Sequence, residues 1–165
     1  MHGTRKEPLE VLLGRLLIEK KQTLAIAESC TGGLITHRLT NVPGSSAYVV
    51  AGVIAYAYEA KVAALGLSWD TLNKFGAVST ETVIAMARGA RERFSATIGL
   101  AITGIAGPGG GTPEKPVGLV HIALADANAV MVARHVWRGD RLQNKAQSAE
   151  AALLLLYRYL TEHHS

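Results

Sequence analysis

Ser29 stands in the string Glu28-Ser-Cys-Thr-Gly-Gly33, just after the apolar run Thr23-Leu-Ala-Ile-Ala27 and just before a helical segment, Leu34 to Leu39. A serine at such a strand-to-helix turn is exposed on a rigid support. The helix behind it offers unpaired backbone N–H groups and a partial positive charge. That arrangement can stabilise an oxyanion, a contribution of roughly 3 kcal/mol per donor. Gly32 and Gly33 remove side chains that would block close approach of a substrate. The plainer alternative is that Ser29 or Thr31 merely caps the helix. The string is not the Gly-x-Ser-x-Gly elbow of α/β-hydrolases, because Ala27 and Thr31 occupy the glycine positions.

A serine nucleophile needs a base. The histidines are His2, His37, His121, His135, His163 and His164, and they suggest no Ser-His-Asp set. Two of them sit at the C-terminus, and His121 and His135 fall within predicted strands. A lysine can serve where burial lowers its pKa enough to populate the neutral amine. Lys61 follows an apolar strand in Tyr56-Ala-Tyr-Glu-Ala-Lys61, where a short helix could turn it inward. A lone lysine on a helix is ordinarily solvated, and that reading stands beside the catalytic one. The Ser-x-x-Lys pattern of β-lactamases is absent, since Gly32 holds that lysine's place.

A third segment, Gly104-Ile-Ala-Gly-Pro-Gly-Gly-Gly-Thr-Pro-Glu-Lys-Pro116, has the look of a phosphate cradle. It lacks the Gly-Lys-Ser/Thr of a Walker loop, and Thr112 stands where a dinucleotide fingerprint needs its last glycine. Its five glycines beside three prolines favour a shaped loop over a floppy one. Arg138-Gly-Asp-Arg141 opens the final helix and sets a guanidinium beside a positive helix end, a good place for a phosphate monoester. Ordinary surface arginine is the alternative. No Cys-x-x-Cys, His-Glu-x-x-His or paired acidic loop appears, so no metal is expected. Glu162-His-His164 reads as a solvated tail.

The elements that must position these residues follow from periodicity. Leu9, Leu12, Leu13, Leu16 and Leu17 predict a helix that Pro8 opens and Lys20–Lys21 close. Residues 23–27 and 97–103 predict buried strands, and Ala47 to Tyr56 a further strand followed by a short helix over 59–64. Thr80 to about Phe94 predicts a helix with Val83, Ile84, Ala87 and Ala90 on its apolar face. Val117–Ala125 and Val130–Trp137 predict a hairpin about Asp126-Ala-Asn128. The last helix starts after Asp140, its N-cap, and carries a seam of Leu142, Ala146, Ala149, Leu153, Leu156 and Leu160. The four consecutive leucines 153–156 mean either deep burial or a subunit interface. Each of the three chemical segments ends a predicted strand. In open α/β sheets ligands bind in the crevice at those carboxyl ends.

Composition sets the bounds. The 165 residues suffice for one domain with a real core, 48% hydrophobic and 18% charged, with no repeat or linker. No apolar run is long enough to span a bilayer, and MHGTRKEPLE lacks the apolar core of a signal peptide. A single cysteine, Cys30, forms no internal disulfide and suits a reducing compartment, so a cytoplasmic location is expected. A formal charge of +4 favours anionic partners. The basic residues are scattered and aromatics make up 5%, which argues against a nucleic-acid surface.

Taken together these strings closely resemble the CinA-type C-terminal domain family, whose stand-alone members include nicotinamide-nucleotide amidohydrolases. The resemblance rests on Ala27-Glu-Ser-Cys-Thr-Gly-Gly33, Pro43-Gly-Ser-Ser46, Gly52-Val-Ile-Ala-Tyr56 with Glu59-Ala-Lys61, and Gly76-Ala-Val-Ser79. It continues through Thr103-Gly-Ile-Ala-Gly-Pro108, Glu114-Lys-Pro-Val-Gly118 and Gly139-Asp-Arg141, and so covers about residues 8–160. It implies a single α/β domain, a three-layer α/β/α sandwich with a mixed sheet. It also implies hydrolysis of the carboxamide of nicotinamide mononucleotide without cofactor or metal. Ser29 would attack, Lys61 would act as base and Tyr56 would orient or protonate. The backbone of Ser29, Cys30, Thr31 and Gly32 would hold the oxyanion, Thr103 and Gly104 would line the nicotinamide–ribose pocket, and Arg141 would meet the phosphate. The resemblance further implies a homodimer or larger assembly, while the composition and the absence of a spanning apolar run predict no nucleic-acid or membrane partner.

Two residues depart from the family pattern: Tyr58 where relatives commonly have Asn, and Lys145 for a frequent Arg. Nothing in the chain matches the separate N-terminal domain of full-length relatives, so a pyrophosphatase activity attached to that domain is not expected. Two other readings remain: a nucleotide- or partner-binding module without turnover, and a Cys30 nucleophile with His37 as base. The latter pair is separated by two helical turns.

Overall fold

The structure, a computed structural model, describes residues 6–162. The polar residues 1–5 and the His163-His164 pair lie outside the described residues. The chain folds as α1 (Leu9–Glu19), β1 (Leu24–Glu28), α2 (Leu34–Thr40), β2 (Val49–Ile54), α3 (Tyr58–Leu65), α4 (Trp69–Phe75), α5 (Thr80–Arg93), β3 (Ile98–Gly104), β4 (Leu119–Ala125), β5 (Val130–Val136) and α6 (Arg141–Glu162). Local chemistry sets the boundaries. Pro8 caps α1 and its carbonyl accepts from Val11 and Leu12 N–H. Asp140 and Gln143 exchange side-chain-to-backbone bonds of 2.8 and 2.9 Å at the head of α6, a reciprocal capping box.

Two expectations shift. The strand expected from Ala47 begins at Val49, because Gly44 at φ 86° starts a 3₁₀ turn that takes up Ser45–Ala47. The seven-residue helix α4 was not foreseen from periodicity; the Ser68 side chain caps it by accepting from Thr71 N–H.

The sheet order is β2-β1-β3-β4-β5, with β2, β1 and β3 parallel and β4 and β5 antiparallel in turn. Helices α1, α2 and α6 pack together on one face, and α3, α4 and α5 on the other, giving a three-layer α/β/α sandwich. Alternation along β1 divides its core. Leu24 and Ile26 join Leu13, Leu17, Leu153 and Leu156, while Ala25 and Ala27 join Val83, Met86 and Ala87. The second core is built of small residues, so α5 rides close on the sheet. A Cβ at Gly99 would stand 1.9 Å from the Ala87 carbonyl oxygen.

Of the four leucines, 153, 155 and 156 are buried and Leu154 is 46% exposed. Because β4 runs against β3 and β5 against β4, the loops after β1, β2, β3 and β5 all open at one end. That end gathers the candidate chemistry.

Candidate active site

The β1–β2 register pairs Glu28 with Ile54, and Ala55 N–H donates to the Glu28 carbonyl at 2.9 Å. Ser29 therefore lies beside Ala55 as the two chains leave the sheet. The chain then turns through Tyr56 into α3, whose inward face carries Lys61 and, four residues on, Leu65. Lys61 has 0% exposure. Its Nζ lies 3.1 Å from Ser29 Oγ, 2.7 Å from the Ala55 carbonyl oxygen and 2.9 Å from that of Tyr56. Burial disfavours the cation and draws its pKa down to about 8. The geometry also fixes direction. Carbonyl oxygens can only accept, so a neutral Lys61 spends both N–H groups on them. Its lone pair is left facing the Ser29 hydroxyl, which can donate.

Glu28 is a residue of this turn that sequence reasoning left without a role. Wholly buried, its carboxylate accepts from Thr31 Oγ1 (2.6 Å), Ile35 N–H (2.9 Å), Thr36 N–H (2.9 Å) and Thr36 Oγ1 (2.8 Å). It thereby caps the first turn of α2 from inside and ties the serine turn to that helix. This corrects the expectation that α2 presents its free N-terminus to an oxyanion: a protein carboxylate already occupies it. Gly32 is corrected too, since its N–H donates to the Ser29 carbonyl at 3.0 Å. The N–H groups of Cys30 and Thr31 donate to no oxygen among the described residues. They are the donors left near Ser29. Gly32 (φ 61°) and Gly33 (φ 100°) supply the left-handed turn that makes this arrangement reachable.

The remaining candidates divide. Thr31 is buried and its hydroxyl is spent on Glu28. Cys30 is buried and its thiol is pushed up to about 12, chiefly by desolvation, while His37 pairs with Asn41 Nδ2 at 3.2 Å. Neither behaves as a thiolate pair. Thr103 is buried and its Oγ1 donates to the Ala77 carbonyl at 2.8 Å, so it ties the α4–α5 turn to β3. Gly104 packs on β4, where a Cβ would stand 2.6 Å from the Leu119 carbonyl oxygen.

Tyr56 meets Lys61 through its backbone. Its ring, 59% exposed, reaches outward and its hydroxyl accepts from Arg141 Nη2 at 3.2 Å. Arg141 Nη1 donates to the Gly107 carbonyl at 2.8 Å. The guanidinium thus bridges the β2–α3 turn and the glycine-rich loop, beside a cavity of about 460 Å³ lined by Ala106, Gly107, Pro108 and Leu142. The Asp140 cap occupies the head of α6, so the cation here is Arg141 and not the helix end.

Of the departures, Tyr58 accepts a hydrogen bond from Ala77 N–H at 3.1 Å and packs on Trp69. Lys145 lies over the serine turn: a Cβ at position 32 would stand 3.5 Å from its Nζ.

The fold and this end of the sheet define a three-layer α/β/α domain with a buried hydroxyl–amine pair at the carboxyl ends of its parallel strands. The chain belongs to the CinA C-terminal domain family, whose model matches residues 6–160. A CinA-like protein of Chlorobaculum tepidum is 49% identical over 158 residues, covering 93% of this chain and 37% of that protein. The chain thus spans well under half the length of the curated relatives it matches. Among solved structures, the competence/damage inducible protein CihA of Agrobacterium tumefaciens has a TM-score of 0.85 at 40% identity, covering 94% of this chain and 98% of that one. The competence damage-inducible protein A (ComA) of Klebsiella pneumoniae has a TM-score of 0.91 at 31% identity, covering 94% and 97%. These names refer to competence and damage and specify no reaction.

Proposed function

We propose that this chain is a cytoplasmic amidohydrolase that converts the carboxamide of nicotinamide mononucleotide to the carboxylate, releasing ammonia. The observation that carries the reading is the 3.1 Å approach of Ser29 Oγ to a wholly buried Lys61 Nζ whose other partners are both carbonyls. Neutral Lys61 takes the Ser29 proton as Oγ attacks the amide carbon. The Cys30 and Thr31 N–H groups are the donors available to the resulting oxyanion, each worth roughly 3 kcal/mol in the transition state. The C–N bond then breaks, and the Lys61 ammonium returns its proton to the departing nitrogen, which leaves as ammonia. Water attacks the Ser29 ester, Lys61 accepts its proton, and Ser29 recovers the hydroxyl as the acid departs.

Arg141 is the cation suited to the substrate phosphate. It exchanges its bonds to Tyr56 and Gly107 for charge-assisted ones. The test is ammonia release from nicotinamide mononucleotide by the wild type beside Ser29→Ala. The expected result is turnover in the first and loss of at least about 1,000-fold in the second. Tight nucleotide binding without ammonia release by the wild type would make the domain a binding module instead.

A further inference from the structure

The strand register pairs Thr103 with His121 and His121 with Arg134, so these three side chains stand in a row on the sheet face that α5 covers. Beyond Thr103, whose hydroxyl is spent on Ala77, lies a cavity of about 440 Å³. His121 and Arg134 line it from the sheet, Lys74 from α4, Lys115 from the glycine-rich loop and Thr80 from the head of α5. It shares no lining residue with the cavity beside Arg141. Among the described residues, Lys74, Lys115 and Arg134 form no ion pair. Lys115 Nζ gives one of its three hydrogens to the Phe75 carbonyl at 2.8 Å and keeps two. His121 is 9% exposed. Its Nδ1 meets Thr80 Oγ1 at 3.3 Å, and its Nε2 has no partner among the described residues. The backbone N–H groups of Thr80 and Glu81, in the first turn of α5, likewise donate to no oxygen among the described residues.

We propose that this cleft binds the phosphate group of a small phosphate monoester, separately from the site at Arg141. Donors reach the cavity from α4, α5, β4, β5 and the glycine-rich loop, so they surround a tetrahedral anion. A planar carboxylate, with two oxygens, would leave several of them unused. Burial, Arg134 and Lys115 hold the His121 ring below its ordinary pKa, with Glu81 opposing them. An anion placed among these cations relieves their crowding of the ring and lets it carry a proton. Glu81 and Glu114 also line the cavity and are exposed, which disfavours an extended polyanion such as a nucleic acid. The inference concerns binding and is independent of the reaction proposed above.

Imidazole NMR at pH 7 tests it, with inorganic phosphate as the probe and chloride at equal ionic strength as the control. The His121 signal is identified by its loss in His121→Gln. Phosphate is expected to shift it saturably, with a dissociation constant of about 1 mM, and to move the ring's titration to higher pH. Arg134→Ala and Lys115→Met should each weaken that binding at least about tenfold, whereas Arg141→Ala should leave it within about twofold of wild type. Melting curves verify that each variant is folded. A His121 signal that ignores about 50 mM phosphate overturns the proposal, as does one that responds equally to chloride. So does a response that is lost in Arg141→Ala, or one that neither Arg134→Ala nor Lys115→Met weakens.

Discussion

The pH dependence of turnover follows from the burial of Lys61. At a pKa of about 8, about 9% of Lys61 is neutral at pH 7, against about 0.04% at the ordinary value near 10.4. Burial therefore raises the population of the base by about 200-fold, equivalent to roughly 3 kcal/mol. Because the deprotonated form does the chemistry, kcat/KM rises with pH: about ninefold from pH 6 to 7, about 90-fold from pH 6 to 9, then a plateau. The assay is ammonia release at subsaturating substrate across pH 6 to 10. Nicotinamide riboside serves as the control, since it lacks the phosphate that titrates near the lower end of this range. A profile that is flat across pH 6 to 9 refutes the reasoning, and so does one that inflects near 10.4.

The same shift acts on stability, which rises with pH as it does for any group whose pKa is depressed on folding. A lysine depressed in the folded state binds fewer protons than the unfolded chain between about pH 8 and 10.4. Its cost of roughly 3 kcal/mol is present in full below that window and is relieved as pH rises through it. The melting-temperature difference between Lys61→Met and wild type should therefore move in favour of wild type from pH 8 to 10.

Arg141→Ala should raise KM for nicotinamide mononucleotide by about 10- to 100-fold and leave the riboside little changed; equal losses toward both deny it the phosphate. Glu28→Gln replaces one accepting oxygen with a donor and strands a backbone N–H of α2. The expected cost is about 2 kcal/mol, a fall of about 4–8 °C in melting temperature, and an unchanged melting temperature contradicts the clamp. Tyr48 is 2% exposed and its hydroxyl has no partner among the described residues. Tyr48→Phe should therefore be neutral or stabilising, whereas Gly14→Ala, whose Cβ would stand 2.5 Å from that hydroxyl, should destabilise by about 1–3 kcal/mol. Denaturant titration of the two variants checks the pair.

Local signals made much of this legible in the sequence. Uninterrupted apolar runs placed β1 and β3, turn chemistry at Asp126 placed the β4–β5 hairpin, and an Asp cap placed the head of α6. Ser29 and Lys61 were readable as candidates because each follows a strand. Their 3.1 Å contact joins residues 32 apart, and periodicity carries no such information. What stayed hidden depends on which backbone groups are already spoken for. Nothing in Glu28 announces that it reaches Ile35 and Thr36 N–H and fills the end of α2. Nor does Gly32 show that its N–H turns back to Ser29. Tyr56 was singled out for its ring, yet its carbonyl is what meets the lysine. The helix α4 escaped because Leu72 is its one buried residue, so its apolar pattern is weak.

The most direct test of the central claim is a double-mutant cycle on kcat with nicotinamide mononucleotide, using Ser29→Ala, Lys61→Ala and the pair together. If one proton passes between these two atoms, they act as a unit. Each single change should then cost as much as both, with all three losses within a few-fold of one another. Losses that multiply, or a Lys61→Ala enzyme turning over near the wild-type rate, would contradict the account.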